Sequence, residues 1–156
     1  MKVGILVVAL LTASLPAIIH AQSDRTIGTW KVNLAKSKYD PGPPPRSETR
    51  IYEAFGKDGI KGTFNRVDAA GKPITISYAA QYDGKDYPYM GAPEIDTIVL
   101  KRLDGNTTEA TLKKNGKVVQ TTRSVISTDG KTRTQTVSGV DAKGQKLNNV
   151  VVFDRQ

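Results

Sequence analysis

The stretch "IGTWKVNLAKSKYDPGPPPRSETRIYE", residues 27–53, begins with a Gly-x-Trp typical of a first β-strand and runs through a proline-rich segment into a second strand. The proline-rich segment is too short, and too rich in proline, to hold a pair of helices. From residue 47 onward, strand-like runs alternate with short glycine-containing turns, and such turns join antiparallel neighbours. The pattern predicts an all-β antiparallel meander.

No run of useful length has the period of an amphipathic helix; the best helical candidate, residues 34–38, gives a single turn. The predicted strands are 27–33, 47–55, 60–68, 73–82, 95–103, 107–114, 117–128, 131–140 and 145–154. We therefore expect an up-and-down meander of about eight to ten strands that closes into a β-barrel.

Residues 1–21 have the pattern of a cleaved secretory signal peptide, with a lysine near the start, an apolar run and a small residue, Ala21, at the expected cleavage site. The apolar run is shorter than the roughly 20 residues that a transmembrane helix needs, and we expect no transmembrane segment elsewhere. The expected product is exported to the periplasm or secreted. Residues 22–156 would form one monomeric domain.

Loss of Lys2 and His20 with the signal would lower the formal net charge from +8 to +7 and leave neither cysteine nor histidine. His/Cys zinc sites, cysteine nucleophiles and Ser-His-Asp triads would each lack a required residue. The acidic residues of the segment 83–96 lack the spacing of a calcium loop. We predict no metal, no cofactor and no catalytic residue, and enzymatic activity is the least favoured role.

The lengths of the connections predict which side chains face inward, because a slip of one residue turns a whole strand over. The connections are taken at 56–59, 69–71, 104–106, 115–116, 129–130 and 141–144. The late strands then turn Arg123, Thr121 and Thr136 inward. The early strands turn an apolar set inward: Ile51, Phe55, Ile60, Phe64, Ile76 and Tyr78.

A threonine-rich interior favours a barrel that contains water over a dry sandwich, since a buried hydroxyl without a partner costs roughly 1–3 kcal/mol. The alternative is that these threonines face solvent, as threonine does on many strands.

The motif Gly28-Thr29-Trp30, followed by a hairpin-linked meander, resembles the calycins, which include the lipocalins and the fatty-acid-binding proteins. The chain also resembles small exported lipocalin-like proteins of soil bacteria. The resemblance implies a lipocalin-like barrel in which Gly28 allows close backbone approach at the closure, Trp30 plugs the base and Arg155 lies over the indole ring. The segment 33–46 leaves no room for the helical lid of fatty-acid-binding proteins, and their C-terminal Arg-x-Tyr clamp has no match.

Arg123 is the first candidate ligand-binding residue, because an inward-facing arginine needs either an ion-pair partner or an anion. The loop at 104–106 would place Arg102 opposite Thr108 and beside Arg123, which would make a fork for a carboxylate or sulfate. An ion pair inside the barrel, or exposure to solvent, is the alternative for Arg123.

The segment 83–94 reads as the one long loop in the second half of the chain, and it contains Tyr87 and Tyr89. An aromatic loop beside a barrel mouth would act as a lid or a stacking platform. The alternative is that the two tyrosines only cap the core.

These observations favour an exported barrel that binds a small hydrophobic or amphipathic molecule in its lumen. The apolar end would hold the tail of the molecule and the arginines would hold its polar end. The alternative is a non-catalytic, envelope-associated interaction module that has no lumenal ligand and uses its basic exterior and the 83–94 loop. The spread of basic residues allows weak contact with anionic envelope polymers and predicts no specific nucleic-acid site.

Overall fold

Ten antiparallel strands and one short 3-10 helix account for residues 24–156, the part of the chain that our computed structural model describes. The strands are β1 Gly28–Val32, β2 Ser47–Ala54, β3 Gly59–Val67, β4 Pro73–Gln81, β5 Asp83–Met90, β6 Thr97–Arg102, β7 Thr107–Lys114, β8 Lys117–Ile126, β9 Thr132–Val140 and β10 Lys146–Arg155; the 3-10 helix is Leu34–Lys36. The expected signal peptide, its cleavage site and the start of the mature chain at Gln22 lie outside the described residues.

Each strand pairs with the next in sequence, and β1 pairs with both β2 and β10, so the sheet closes into a barrel. The predicted all-β fold, an antiparallel meander closed into a β-barrel, is confirmed. The connections alternate between two ends. The closed end holds the segment 24–27 and the connections at 55–58, 82, 103–106 and 127–131. The open end holds 33–46, 68–72, 91–96, 115–116 and 141–145.

The indole of Trp30 fills the closed end and is fully buried, with its Nε1 donating to the carbonyl oxygen of Thr26 at 2.8 Å. The guanidinium of Arg155 lies 4.2 Å from the centroid of the Trp30 ring. It also donates to the carbonyl oxygens of Gly130 and Ile27, each at 2.8 Å, and to that of Arg25. One side chain therefore ties the last strand to the first and to the turn before β9.

Gly28 makes room for this guanidinium. A Cβ at this position would lie 2.7 Å from Nη1 of Arg155, and the φ of Gly28 is +129°, a conformation that side chains with a Cβ rarely adopt.

The predicted loop 83–94 is mostly strand β5, and this corrects the sequence prediction. The ladder between β4 and β5 consists of only two pairs, Ser77–Met90 and Tyr78–Tyr89. Pro88 lies just beyond this short ladder, where its missing amide hydrogen breaks no bond to β4. Gly84 and Pro88 therefore look like loop residues in the sequence, although both lie within strand β5.

The inward-facing side of β8 and β9 was predicted wrongly. The two strands pair as expected, with Thr121 opposite Ser138 and Arg123 opposite Thr136. This face, however, lies outside: Arg123 and Thr136 are exposed and Thr121 is half-buried on the outer surface. The inner face carries other residues, namely Thr122, Ser124, Ile126, Arg133, Gln135 and Val137.

Two differences of one residue turned these strands over. The β7–β8 hairpin has a register shift, in which Lys113 pairs with Val118 but Leu112 pairs with Gln120. The β9–β10 connection spans the five residues 141–145, and not four, so that Val140 pairs with Lys146. The first error turned β8 over relative to β7, and the second turned β9 over relative to β10. Because both strands were turned over together, their predicted faces still matched each other.

The early half shows the same kind of slip at one turn. Ala54 pairs with Ile60, which leaves Ile51 and Phe55 on the outer surface, with about 37% and 38% of their surface exposed. The β3–β4 register matches the prediction, with Phe64 opposite Ile76 and Gly62 opposite Tyr78.

The closure makes a testable prediction at Arg155. We expect Arg155→Ala to lower the free energy of unfolding by about 2–4 kcal/mol, because it removes the cation–π contact and leaves three carbonyl oxygens without their donor. Urea denaturation measures the change. Arg123→Ala, which removes an exposed arginine from β8, is the control and should change stability by less than about 0.5 kcal/mol. Equal losses in the two variants would contradict the role assigned to Arg155.

Candidate ligand-binding site

A chain of polar side chains crosses the barrel lumen from β2 to β8 and β9. Nη1 of Arg50 donates to Oε1 of Gln135 at 2.6 Å. Nε2 of Gln135 donates to Oγ of Ser124 at 2.8 Å, and Nη2 of Arg133 donates to the same oxygen at 3.2 Å. The guanidinium of Arg50 is sandwiched between two rings, 4.3 Å from the centroid of Phe64 and 4.5 Å from that of Phe153. These contacts fix the positions of the charges inside the barrel.

Glu48 supplies the negative charge of this network of polar side chains and is almost completely buried, with 2% of its side chain exposed. Nε of Arg50 donates to it at 2.5 Å and Nε of Arg66 at 2.8 Å. Burial by itself would raise the pKa of Glu48, but the charges and hydrogen bonds of the two arginines outweigh burial and hold that pKa below its usual value. Glu48 is therefore an anion at neutral pH, shared between two arginines.

Arg133 lies deeper in the lumen, one residue into β9 from the closed end, and only 5% of its surface is exposed. Its guanidinium lies 4.5 Å from the centroid of the Tyr52 ring. Among residues 24–156, its Nε and Nη1 have no hydrogen-bond partner, and no carboxylate lies within 4 Å of it. A buried charge without a partner is costly, so this guanidinium is suited to receive an anion.

Ser124 adds a further donor beside Arg133. Its oxygen already accepts two hydrogen bonds, from Gln135 and Arg133, so its own hydroxyl hydrogen is directed elsewhere. The Ser124 hydroxyl therefore lies beside the guanidinium of Arg133 and has a hydrogen available for a further acceptor.

Aromatic rings form an apolar wall beside these donors. Tyr52 and Phe64 pack edge to face with their centroids 5.6 Å apart, and Phe64 and Tyr78 do so at 5.7 Å. Tyr89 stacks on Tyr78 at 5.8 Å. Burial raises the pKa of Tyr78 well above its usual value, so the ring stays neutral.

Two connected spaces follow the lumen from the closed end to the open end. An inner chamber of about 130 Å³ is lined by the aromatic wall, Arg133 and Ser124. A mouth cleft of about 830 Å³ lies above it, flanked by Pro41, Pro43 and Pro45. Arg50, Arg66 and Gln120 line both spaces. The inner chamber has room for about four water molecules or one small anionic group, since a water occupies roughly 30 Å³. The mouth cleft has room for a larger body.

Some predicted site residues belong to this site and others do not. Phe64, Tyr78, Tyr89 and Thr108 line the inner chamber. Arg102 pairs with Thr108 across the ladder as predicted. It does not meet Arg123, because its Nη2 donates to Asp24 at 3.0 Å and to Asp58 at 3.1 Å at the closed end.

Tyr87 is half-buried on β5, and its hydroxyl donates to Asp83 at 2.9 Å rather than into the chamber. Arg123, Thr121 and Thr136 lie on the outer surface of β8 and β9, which corrects their predicted inward position.

The residues that the sequence reasoning missed are Glu48, Arg50, Ser124, Arg133 and Gln135. One signal was present: in β9, Arg133, Gln135 and Val137 alternate with Thr134 and Thr136. Correct pairing with β10 sets Arg133 opposite Phe153 and Gln135 opposite Val151, both buried. Had the β9–β10 connection been taken as five residues, the apolar face of β10 would have identified the inward arginine.

Comparisons with known proteins find similarity in structure but not in sequence family. No model of a protein family matches the chain, and no curated protein matches it. Among solved structures, the chain is similar to a zebrafish ileal bile acid-binding protein complexed with cholic acid. The TM-score is 0.48 and the sequence identity 13%, over 85% of this chain and 99% of that protein.

Within residues 24–156, no three His, Cys, Asp or Glu side chains group in a way that would hold a metal ion. No helix in this part of the chain has the length and hydrophobicity needed to cross a membrane.

Glu48 makes a testable prediction about stability. We expect Glu48→Gln to lower the free energy of unfolding near neutral pH by about 3–5 kcal/mol, because the largely buried Arg50 and the partly exposed Arg66 lose their shared counter-charge. Glu53→Gln on the same strand is the control, since the ion pair between Glu53 and Lys61 is exposed and contributes at most about 1 kcal/mol.

The pH dependence gives the sign of the effect. The pKa of Glu48 in the folded state lies below that of an unfolded glutamate, which is about 4.3. Its stabilising contribution is complete above the unfolded value and is lost as the pH falls through the folded value. Urea unfolding should therefore show a large difference in the free energy of unfolding between wild type and Glu48→Gln at about pH 7, and a smaller difference at about pH 3. A difference that grows at low pH would contradict the assignment.

Proposed function

We propose that the barrel binds a small amphipathic anion in its lumen, with the anionic group on Arg133 and Ser124 and the apolar body extending towards the mouth cleft. The observation that carries the proposal is the buried guanidinium of Arg133, in which two nitrogens, Nε and Nη1, have no hydrogen-bond partner among the described residues. A protein that only needed a stable core would gain by an apolar residue at this position.

The charge balance of the lumen supports an anionic ligand. Of the three arginines Arg50, Arg66 and Arg133, the first two share the buried carboxylate of Glu48. Glu94 also lines the chamber and the mouth cleft, but it forms no ion pair with an arginine within residues 24–156. A carboxylate or sulfate at Arg133 would supply the missing charge and accept from the N–H groups that have no partner. A guanidinium suits such a group because it keeps its positive charge and carries several N–H donors.

The surroundings of Arg133 support an apolar body attached to the anionic group. Tyr52, Phe64 and Tyr78 line the chamber, and Ile60, Ile76 and Leu112 add aliphatic surface. Burial of apolar surface contributes about 25 cal/mol per Å². The polar end of the ligand lies innermost, because Arg133 lies deeper in the lumen than the mouth cleft.

We also place the protein outside the cytoplasm. The support is the signal-like pattern of residues 1–21. The alternative function, an envelope-associated module without a lumenal ligand, gives Arg133 no role, and we favour lumenal binding for that reason.

Arg133→Met tests the proposal, and a fluorescent fatty acid is the probe. We expect the variant to bind the probe at least about 10-fold more weakly, because it loses charge-assisted hydrogen bonds worth about 1.5–3 kcal/mol each. We also expect its melting temperature without ligand to rise by a few degrees, on the order of 2–6 °C, because an unpaired buried charge is removed. Fluorescence titration and thermal unfolding measure the two effects.

Arg123→Met is the matched control, since it removes the same charge from the outer surface, and it should leave both properties unchanged. The methyl ester of the probe separates charge from shape: wild type and Arg133→Met should bind the ester equally. Unchanged binding of the acid by Arg133→Met would overturn the proposal.

A further inference from the structure

The tips of two neighbouring hairpins separate at the open end of the barrel. The ladder between β8 and β9 ends at the pair Gln120–Gly139, so residues 117–119 of β8 have no partner on β9. Each hairpin stays paired internally, β7 with β8 and β9 with β10. The two backbones are still close at residue 119, since a Cβ on Gly139 would lie 2.2 Å from the carbonyl oxygen of Val119, and they separate beyond it. The barrel wall therefore has a gap at the rim beside the mouth.

This gap lies between the mouth cleft and a groove of about 380 Å³ on the outer surface. Val119, Gln120, Val140 and Leu147 line both spaces. Three of these four side chains are aliphatic, so an apolar molecule could pass between the hairpins without crossing a polar barrier.

The outer rim of the gap combines exposed valines with lysines. Val118 and Val140 have about 59% and 41% of their surface exposed. Lys117, Lys143 and Lys146 are exposed around them and have no carboxylate within 4 Å among residues 24–156. The next two lysines of the β7–β8 tip are instead held in ion pairs, Lys113 with Asp86 and Lys114 with Asp96.

We propose that these two tips, residues 117–119 and 140–146, form a docking surface for an anionic lipid bilayer. Small aliphatic side chains ringed by lysines are the chemistry of shallow insertion at the headgroup level. Each lysine near an anionic surface adds attraction of about fivefold in affinity. Lysines on flexible stems suit a diffuse layer of headgroups better than the fixed geometry of a protein partner, for which arginine and aromatic residues are typical.

Docking in this way would set the gap and the mouth cleft against the membrane. An amphipathic molecule would then move between the bilayer and the lumen along Val119 and Val140 with little exposure to water. This step rests on the proposed lumenal function, whereas docking itself needs no ligand.

Flotation with vesicles tests the docking surface. Wild type should float with vesicles of phosphatidylcholine and phosphatidylglycerol, and should remain unbound with phosphatidylcholine alone. The triple variant Lys117→Gln/Lys143→Gln/Lys146→Gln should lose affinity on the order of 100-fold. The matched control is Lys57→Gln/Lys101→Gln/Lys131→Gln, which removes the same charge from exposed positions at or near the closed end and should bind as wild type does. Equal losses in the two triple variants would overturn the proposal.

A second readout reports orientation. Because the chain contains no cysteine, Val118→Cys labelled with an environment-sensitive fluorophore gives a signal from one site. We expect a blue shift when anionic vesicles are added, and no shift for the same label at Lys57→Cys. An unshifted Val118 label on bound protein would overturn the proposal. Arg133→Met should dock normally, so a failure of docking and a failure of lumenal binding are told apart.

Discussion

The pairing of β1 with β10 is the constraint on which the rest of the structure depends. β1 has only five residues, yet it must bond to β2 on one side and to β10 on the other. Arg155 reinforces this short seam, because one guanidinium covers Trp30 and binds backbone carbonyls before β1 and before β9. If the seam opened, the sheet would have two free edges and water would reach the lumen from the side. Because the cylinder is closed, the charged side chains inside it are shielded from bulk water and interact strongly with one another.

Closure makes buried charges costly in free energy, and the three interior arginines are neutralised to different extents. Glu48 neutralises Arg50 and Arg66 through short ion pairs, and two aromatic rings flank Arg50. Among residues 24–156, Arg133 contacts a ring face and one serine oxygen but no carboxylate. A network built for stability alone would extend the same neutralisation to the third arginine. The missing counter-charge at Arg133 therefore indicates that stability is reduced at this position, as is common where a protein binds a ligand.

Much of the fold could be predicted from the sequence, because strand length and turn chemistry are local properties. The β8–β9 and β3–β4 pairings followed from the turns alone. The inner face of β8 and β9 could not be obtained in this way, because it depends on a bulge beside Val119 and a fifth residue in the β9–β10 connection, and neither leaves a hydrophobic signal. On β9 both faces are polar, so Arg133 and Thr136 were equally plausible inside. Only the apolar face of the partner strand β10 separates the two cases.

The rim lysines and Arg133 attract an anion with different strength, and this difference favours movement of the anion from the rim into the lumen. The rim lysines lie in water, where salt screens their attraction beyond about 8–10 Å. They can gather an anionic amphiphile at the open end and release it easily. The guanidinium of Arg133 lies in a medium of low effective dielectric, where an ion pair is stronger and nearly insensitive to salt. An anion therefore meets weak attraction at Lys117 and strong attraction at Arg133, and the apolar gap between them favours a molecule that carries its charge at one end.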